Sequence, residues 1–515
     1  MIAAARRFTT RHRGMTCLLA AVLPAAIRLS LLPYAPIPEP EIHDEFAYLL
    51  GADTFASGRL ANPPHPMWTH FETFHVNQQP TYVSKYPPAQ SLFLALGQAA
   101  LEHPWYGVLL SVGLMCACIC WMLQGWLRPH YAFLGALLAI ANFGVTGYWV
   151  NSYWGGAVPA AGGALVLGGL PRLVRRESAA ASLLAAFGVV LLANSRPYEG
   201  TILTIACAAV LLWWRKRQGR SLRALLTKRV VLPFAILFAS GLIWFGYYNW
   251  RTTGTPWLMP YVVNQRTYAV TPQFWLAPEG PMPTYRHEIL RKIWAEWYRE
   301  FYSARRANPV RVLREFVEVF AGTYSMPILF SILIAVLLTP TPRVRIALSI
   351  AAAVAFGVLL EVMVLPHYYA PAAGLMFLLA AVGVQHVMHA VRKQGAVTRT
   401  LNTMLFAALF LGTFAISVRQ SMAVPTGFPA DRQKVIATLR AQGSSHLVIV
   451  RYAPDHNAHY DWVRNRANID ESEIVWAHDM GEAENRKLLA YYPNRTVWLL
   501  EPDAKPEPRL QRYSE

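Results

Sequence analysis

"WYGVLLSVGLMCACICWMLQGWL", residues 105–127, carries no charged residue. Crossing a hydrocarbon core takes roughly 20 apolar helical residues, so this run by itself predicts a membrane span. Similar runs lie near 15–34, 130–148, 153–171, 179–195, 198–214, 230–250, 323–340, 344–362, 368–390 and 401–418. Read by hydropathy windows, they predict a polytopic α-helical membrane protein of about 11 transmembrane helices. Composition agrees, since the 515 residues are 54% hydrophobic and 15% charged with a mean hydropathy of +0.27, far from the ordinary soluble balance.

Charge then orients the spans. One side collects "RRFTTRHR" (6–13), "PRLVRR" (171–176), "WRKRQGRSLRALLTKR" (214–229), "TPRVR" (341–345) and "VRKQGAVTRT" (391–400), which the positive-inside rule makes cytoplasmic. This requires "PPAQSLFLALGQAALEHP", from Pro87, to lie along the outer interface and not to cross. The N-terminus is then cytoplasmic, its first span an uncleaved signal anchor, and the chain is integral to the plasma (bacterial inner) membrane. The net charge of +18 belongs largely to these loops, so nucleic acid is not an expected partner. Cys17, Cys116, Cys118, Cys120 and Cys207 all fall inside predicted spans, which offers the outer segments no disulfide framework.

The outer side receives residues 35–104, the turns 149–152, 194–198 and 363–367, the long segment 251–322, and everything after about 419. Within the first of these, "EIHDEFAYLL" (41–50) sets His43, Asp44 and Glu45 in the first turn of a helix that Gly58 stops. Acidic residues at a helix start are favoured by the macrodipole alone. Ionisable groups beside a membrane also mark function, and others gather on the same side: Asn151, Arg196, Glu199, His367, Tyr368 and Tyr369. Arg196 with Glu199 also reads as a self-neutralising pair, and the His367 group as an aromatic belt. A carboxylate here can serve as general base while Lys85 or Arg196 receives the phosphate of a departing group.

"HDEFAYLLGADTFASGRL" (43–60) followed by "SKYPPAQSLFLALGQ" (84–98) resembles the first outer loop of the GT-C superfamily of membrane glycosyltransferases. The nearest type is that of the protein O-mannosyltransferases and lipid A aminoarabinose transferases, including the bacterial galacturonosyltransferase-like branch. The resemblance is specific over about residues 15–102 and topological to about 250. It implies an enzyme that transfers a hexosyl or pentosyl group from a polyprenyl-phosphate sugar donor to an envelope acceptor, whether lipid, glycan or protein. It also implies Asp44 as catalytic base with Glu45 as its partner, Lys85 at the donor phosphate, and Tyr86, Pro87 and Pro88 shaping the donor groove. No cofactor is certain, and a divalent metal stays open because an Asp-Glu pair serves with or without one. A ligase or polymerase using a diphosphate-linked donor, and a transporter, are the alternative readings.

In the segment 251–322, Ile289, Ile293, Trp294, Trp297, Tyr298 and Phe301 form one helical stripe, expected either to cover the site or to brace the membrane surface. The chain is expected to divide into a membrane domain, 1–418, bearing the outer loops 35–104 and 251–322, and a small extracytoplasmic α/β domain, 419–515. Strands are expected at "HLVIVRYAPDH", "SEIVWAHDM" and "TVWLLEPD", with a helix between the last two. Within it, Asp455, His456, His459 and Asp461 carry metal-ligating side chains at a spacing that matches no recognised site.

Overall fold

The computed structural model describes residues 2–422, 426–443 and 445–513. The chain forms two compact units, each assembled from three separate segments: Met1–Ile37, Trp105–Trp244 and Asn308–Ala423 in the first, Pro38–Pro104, Phe245–Ala307 and Val424–Glu515 in the second. The two long loops anticipated on one face therefore contribute most of their length to the unit that holds the C-terminal segment.

Among the described residues, eight helices are long and apolar enough to cross a membrane: Arg13–Ser30, Trp105–Trp126, Ala157–Arg175, Pro197–Arg217, Lys228–Thr253, Pro342–Leu359, Ala370–Arg392 and Ala396–Gln420. The other three expected runs are built differently. Residues 130–148 become the helix Pro129–Ala139 and a wide π turn, Ile140–Gly144, and 179–195 the shorter helix Ala179–Ala193. The run 323–340 starts at a 116° bend between Pro309–Thr323 and Met326–Leu338. Asn142 pins that bend, donating to the Thr323 carbonyl at 3.0 Å and accepting from the Ser325 N–H at 3.0 Å, so backbone groups freed by the break find partners.

Small residues set the packing of the first unit. Nearly every residue of Ala157–Arg175 is buried, and a Cβ placed on Gly163 would lie 1.9 Å from the Pro371 carbonyl oxygen. That closeness is the small-residue contact by which helices pack in lipid. The five cysteines are free.

The second unit is built on a four-stranded sheet and the helix His43–Ala56. With β1 (Val76–Asn77) and β2 (Val83–Ser84) forming a hairpin, the sheet comprises β3 (His446–Val450), β4 (Ile474–His478), β5 (Thr496–Glu501) and β6 (Arg509–Arg512) in the order β4-β3-β5-β6. β3 runs parallel to both neighbours, and β6 closes the β5 edge antiparallel. The helix Glu482–Tyr491 supplies the crossover between β4 and β5. His43–Ala56 is apolar on most of its circumference because it is covered on several sides. Ala47 and Leu50 join a core with Leu447 and Val475, and Phe46 packs against Val448 and Trp476. Helix Ala89–Leu101 crosses it at Gly51, where a Cβ would fall 2.4 Å from Ser91 Oγ.

Candidate active site

The helix start that carries the acidic pair separates its two members. Glu45 turns back to accept the Glu41 and Ile42 backbone N–H groups at 2.8 and 3.1 Å, the reach-back half of a capping box. Ile42 has no side-chain acceptor to complete it. One carboxylate oxygen of Glu45 is thus engaged in starting the helix, and other groups stand against the Asp44 carboxylate.

His43 places Nδ1 2.9 Å from Asp44 Oδ2, and His75 places Nε2 3.6 Å from the same oxygen. Tyr86 donates its hydroxyl to Asp44 Oδ1, its ring stacked on Tyr48 at 4.4 Å. The hairpin explains how His75 arrives: β1 and β2 pair Val76 with Ser84, which sets His75 opposite Lys85, and the Lys85 N–H donates to the His75 carbonyl at 2.9 Å. His75 holds φ at +61°, the left-handed region that side chains seldom adopt, and both its ring nitrogens are buried without a hydrogen bond. Such local strain gathers at functional sites.

Lys85 is buried, and its Nζ lies 5.2 Å from the Tyr86 ring, 5.1 Å from Tyr261 and 5.2 Å from Trp294, an aromatic surround that favours the charged ammonium. Trp294 stacks on Tyr298 at 5.0 Å, and Ile289, Ile293 and Trp294 are buried with Phe74 and Tyr268. The stripe expected either to cover the site or to brace a membrane therefore packs inward as a wall beside Lys85. It does so on a short helix, Glu288–Arg291, a π turn, Lys292–Trp297, and a second helix, Tyr298–Ala307.

Burial alone would raise the Asp44 carboxyl, but the imidazoles of His75 and His43 outweigh it and hold Asp44 well below the usual carboxylate range. Burial, with Lys85 adjacent, holds His75 well below the usual imidazole range. At neutral pH Asp44 is an anion and His75 is neutral. Burial and the negative charge of Asp44 push Tyr86 well above its ordinary value, so it keeps its proton.

Three donor atoms, one each from His43, Asp44 and His75, lie within 4.8 Å of one another, a His/carboxylate set suited to a divalent ion. The residues of "DHNAHYD" do not form such a set. His456 pairs with Asp503 at 2.7 Å, Asp461 accepts from Thr73 and Tyr452, and His459 sets Nδ1 3.3 Å from His43 Nε2.

The remaining expected site residues belong to the first unit. Arg196 lies 3.6 Å from Glu199 and 4.4 Å over the Tyr368 ring, while His367 Nδ1 is 3.1 Å from the Tyr148 hydroxyl. Asn151 is occupied by the fold: its Oδ1 accepts from Arg28 Nε at 2.9 Å. Tyr369 donates to the Ala351 carbonyl at 3.2 Å and is buried. Sequence reasoning missed His75, Tyr48, Tyr261 and the role of Trp294. For His75 a signal existed in "HVNQQPTYVSK", where two short β-prone runs flank a Pro-containing turn and set the first and last residues opposite each other.

No family model matches the chain, and no curated protein matches it in sequence. Among solved structures, ArnT from Cupriavidus metallidurans bound to undecaprenyl phosphate aligns at TM-score 0.50 and 10% identity over 94% of this chain and 93% of that one. The chain has the GT-C fold. The apo form of the same enzyme aligns at TM-score 0.49 and 11% identity over 94% and 92% of the two chains. The archaeal oligosaccharyltransferase AglB from Archaeoglobus fulgidus, in complex with an inhibitory peptide and a dolichol-phosphate, gives 0.46 and 10% over 96% and 70%. Within the GT-C fold of this chain, Asp44 stands in the segment following the first apolar helix.

Proposed function

We propose that this protein transfers a hexosyl or pentosyl group from a polyprenyl-phosphate-linked donor to an extracytoplasmic acceptor, with Asp44 as general base. The observation that carries this reading is a half-buried, ionised carboxylate faced by two imidazoles and a phenol, with a caged lysine from the adjoining hairpin. Asp44 takes the proton of the acceptor hydroxyl or amine. The acceptor atom bonds to the anomeric carbon, and the bond from that carbon to the phosphate oxygen breaks. The electron pair leaves with the polyprenyl phosphate, whose charge Lys85 stabilises. Tyr86 and His43 orient the carboxylate, and neutral His75 is placed to pass the proton onward. ArnT was solved with undecaprenyl phosphate and AglB with a dolichol-phosphate, which supports a lipid-phosphate leaving group here.

The test is transfer by the purified protein from synthetic polyprenyl-phosphate sugars. Loss on Asp44→Asn with insertion and melting unchanged is expected. Turnover by that variant at the wild-type rate excludes the base assignment, and use of diphosphate-linked oligosaccharides alone turns the reading toward a ligase.

The His75 nitrogens, neither of which makes a hydrogen bond, favour a second role for the same residues. His43, Asp44 and His75 would hold a divalent cation, which when bound supplies Lewis-acid stabilisation of the leaving phosphate. Chelation distinguishes the two: transfer lost with chelator and restored by added zinc or manganese makes Asp44 a ligand, and transfer indifferent to chelator leaves it the base.

A further inference from the structure

On the helix His43–Ala56, Asp44 and Asp53 stand nine residues apart, half a turn out of phase. The face bearing Asp53 does not look into the site of Asp44. It borders a separate cavity of about 370 Å³ lined by Phe46, Asp53, Thr73, Gln98, Arg432 and Arg464, within the range of ligand pockets.

Of the three arginines on its lining, Arg466 is paired with Asp53, and the other two are unusual in what they lack. Arg464 is 7% exposed. Its Nη1 donates to the Phe74 carbonyl at 3.0 Å and its Nη2 lies 3.4 Å from Asp461, but Nε and Nη2 make no hydrogen bond. Arg432 makes no hydrogen bond or ion pair among the described residues, and its Nε is buried without a partner. Its guanidinium carbon lies 5.1 Å from the Phe46 ring and 5.2 Å from Trp476, and that of Arg464 lies 5.5 Å from Phe46 and 5.8 Å from Phe74.

Stacking satisfies the faces of a guanidinium and leaves its N–H edge unmet. Leaving such an edge buried and unpaired is costly, which applies to Nε and Nη2 of Arg464 and to Nε alone of the half-buried Arg432. Asp461 gives Arg464 a counter-charge at 3.4 Å, and Glu39 and Asp461 act on Arg432 through space, but no carboxylate takes a hydrogen bond from the free N–H groups of either arginine. Asp53 accepts from Arg466 at 2.8 Å, from Gln98 at 3.1 Å and from the Ala467 N–H at 2.8 Å. Asp461 is shared among Thr73, Tyr452 and the Val463 N–H. Glu102, also on the lining, is exposed at the rim.

We propose that this cavity is a binding site for an oxyanion of the phosphate class, gripped by the N–H edges of Arg432 and Arg464 while Phe46, Phe74 and Trp476 hold the two guanidinium planes. Arginine's planar fork suits this chemistry. The same group could reach the cavity as free phosphate or as the phosphomonoester of a lipid headgroup, and the two sources bind through the same contacts. The site gives the C-terminal segment, which supplies both arginines, a recognition role separate from the chemistry of Asp44.

The experiment uses the full-length protein, with binding as the readout, so its outcome is independent of sugar transfer. Inorganic phosphate is titrated by calorimetry at constant ionic strength. In parallel, melting is followed in nanodiscs containing phosphatidic acid or phosphatidylcholine. The wild type is expected to bind phosphate, and Arg432→Gln, which removes no hydrogen bond of the fold, to bind it about tenfold more weakly or worse. Phosphatidic acid protecting the wild type beyond phosphatidylcholine, and not protecting Arg432→Gln, assigns the lipid source. Protection by phosphate alone assigns the soluble one. Binding of neither, or equal binding by wild type and Arg432→Gln, overturns the site. Arg464→Gln is the second variant, and Arg432→Gln decides the matter if that one does not fold.

Discussion

Two carboxylates near the starts of helices, the half-buried Asp44 in the second unit and the buried Glu199 in the first, are held in opposite ways. Glu199 faces a guanidinium, with Arg196 Nη1 3.6 Å away, and Arg196 is itself spread over the Tyr368 ring. Asp44 faces two imidazoles and a phenol and no guanidinium. A fixed cation neutralises a carboxylate and keeps it still. Without such a fixed cation Asp44 is still ionised and keeps the lone pairs that a general base uses to accept a proton.

The contrast breaks most visibly by mutation. Asp44→Asn is expected to lower the transfer rate by about 10²–10⁴-fold, the usual weight of a general base, with circular dichroism and melting unchanged. Glu199→Gln should leave turnover within about threefold and instead lower unfolding stability by about 1–3 kcal/mol, less than a fully buried pair because Arg196 is partly exposed; a rate loss equal to that of Asp44→Asn would erase the distinction. Lys85→Ala should raise the KM for donor about 10–100-fold, the weight of a charged hydrogen bond, with the KM for acceptor little changed.

A pH profile sharpens the comparison further. Because Asp44 titrates below the ordinary carboxylate range, the metal-free base should stay competent as pH falls from 7 through 5, with the acid limb of kcat/KM below about pH 4. His75→Ala removes one lowering influence and leaves burial to act, so that limb should move to higher pH. An unmoved limb would show that His75 does not act on Asp44. The smallest effect is reserved for Glu45→Gln, expected to cost about 1 kcal/mol of stability through the weakened helix start and to change turnover less than threefold.

Asp44, Lys85 and Tyr86 were legible because their motif is local, and so was the stop at Gly58, which has φ +74°. The strand-strand-helix-strand order of the C-terminal segment was also legible, since each strand is a continuous β-prone run. Glu45 carries the helix-start role as well, which the sequence does not separate from a chemical one because helix capping and catalysis ask for the same residue type at the same place. His75 and His459 reach His43 from other parts of the chain, and no periodicity encodes that distance. Among the described residues, three of the expected spans take a shorter or bent form, one of them starting at the bend that Asn142 pins, because hydropathy windows weigh composition and not the bend.

The second unit is drawn from residues 38–104, 245–307 and 424–515, and its sheet lies entirely in the last of them. The helix His43–Ala56 is therefore made long before the strands on which Phe46, Ala47 and Leu50 pack. Its core contacts join residues far apart in sequence, and such non-local pairing slows the closing of a fold.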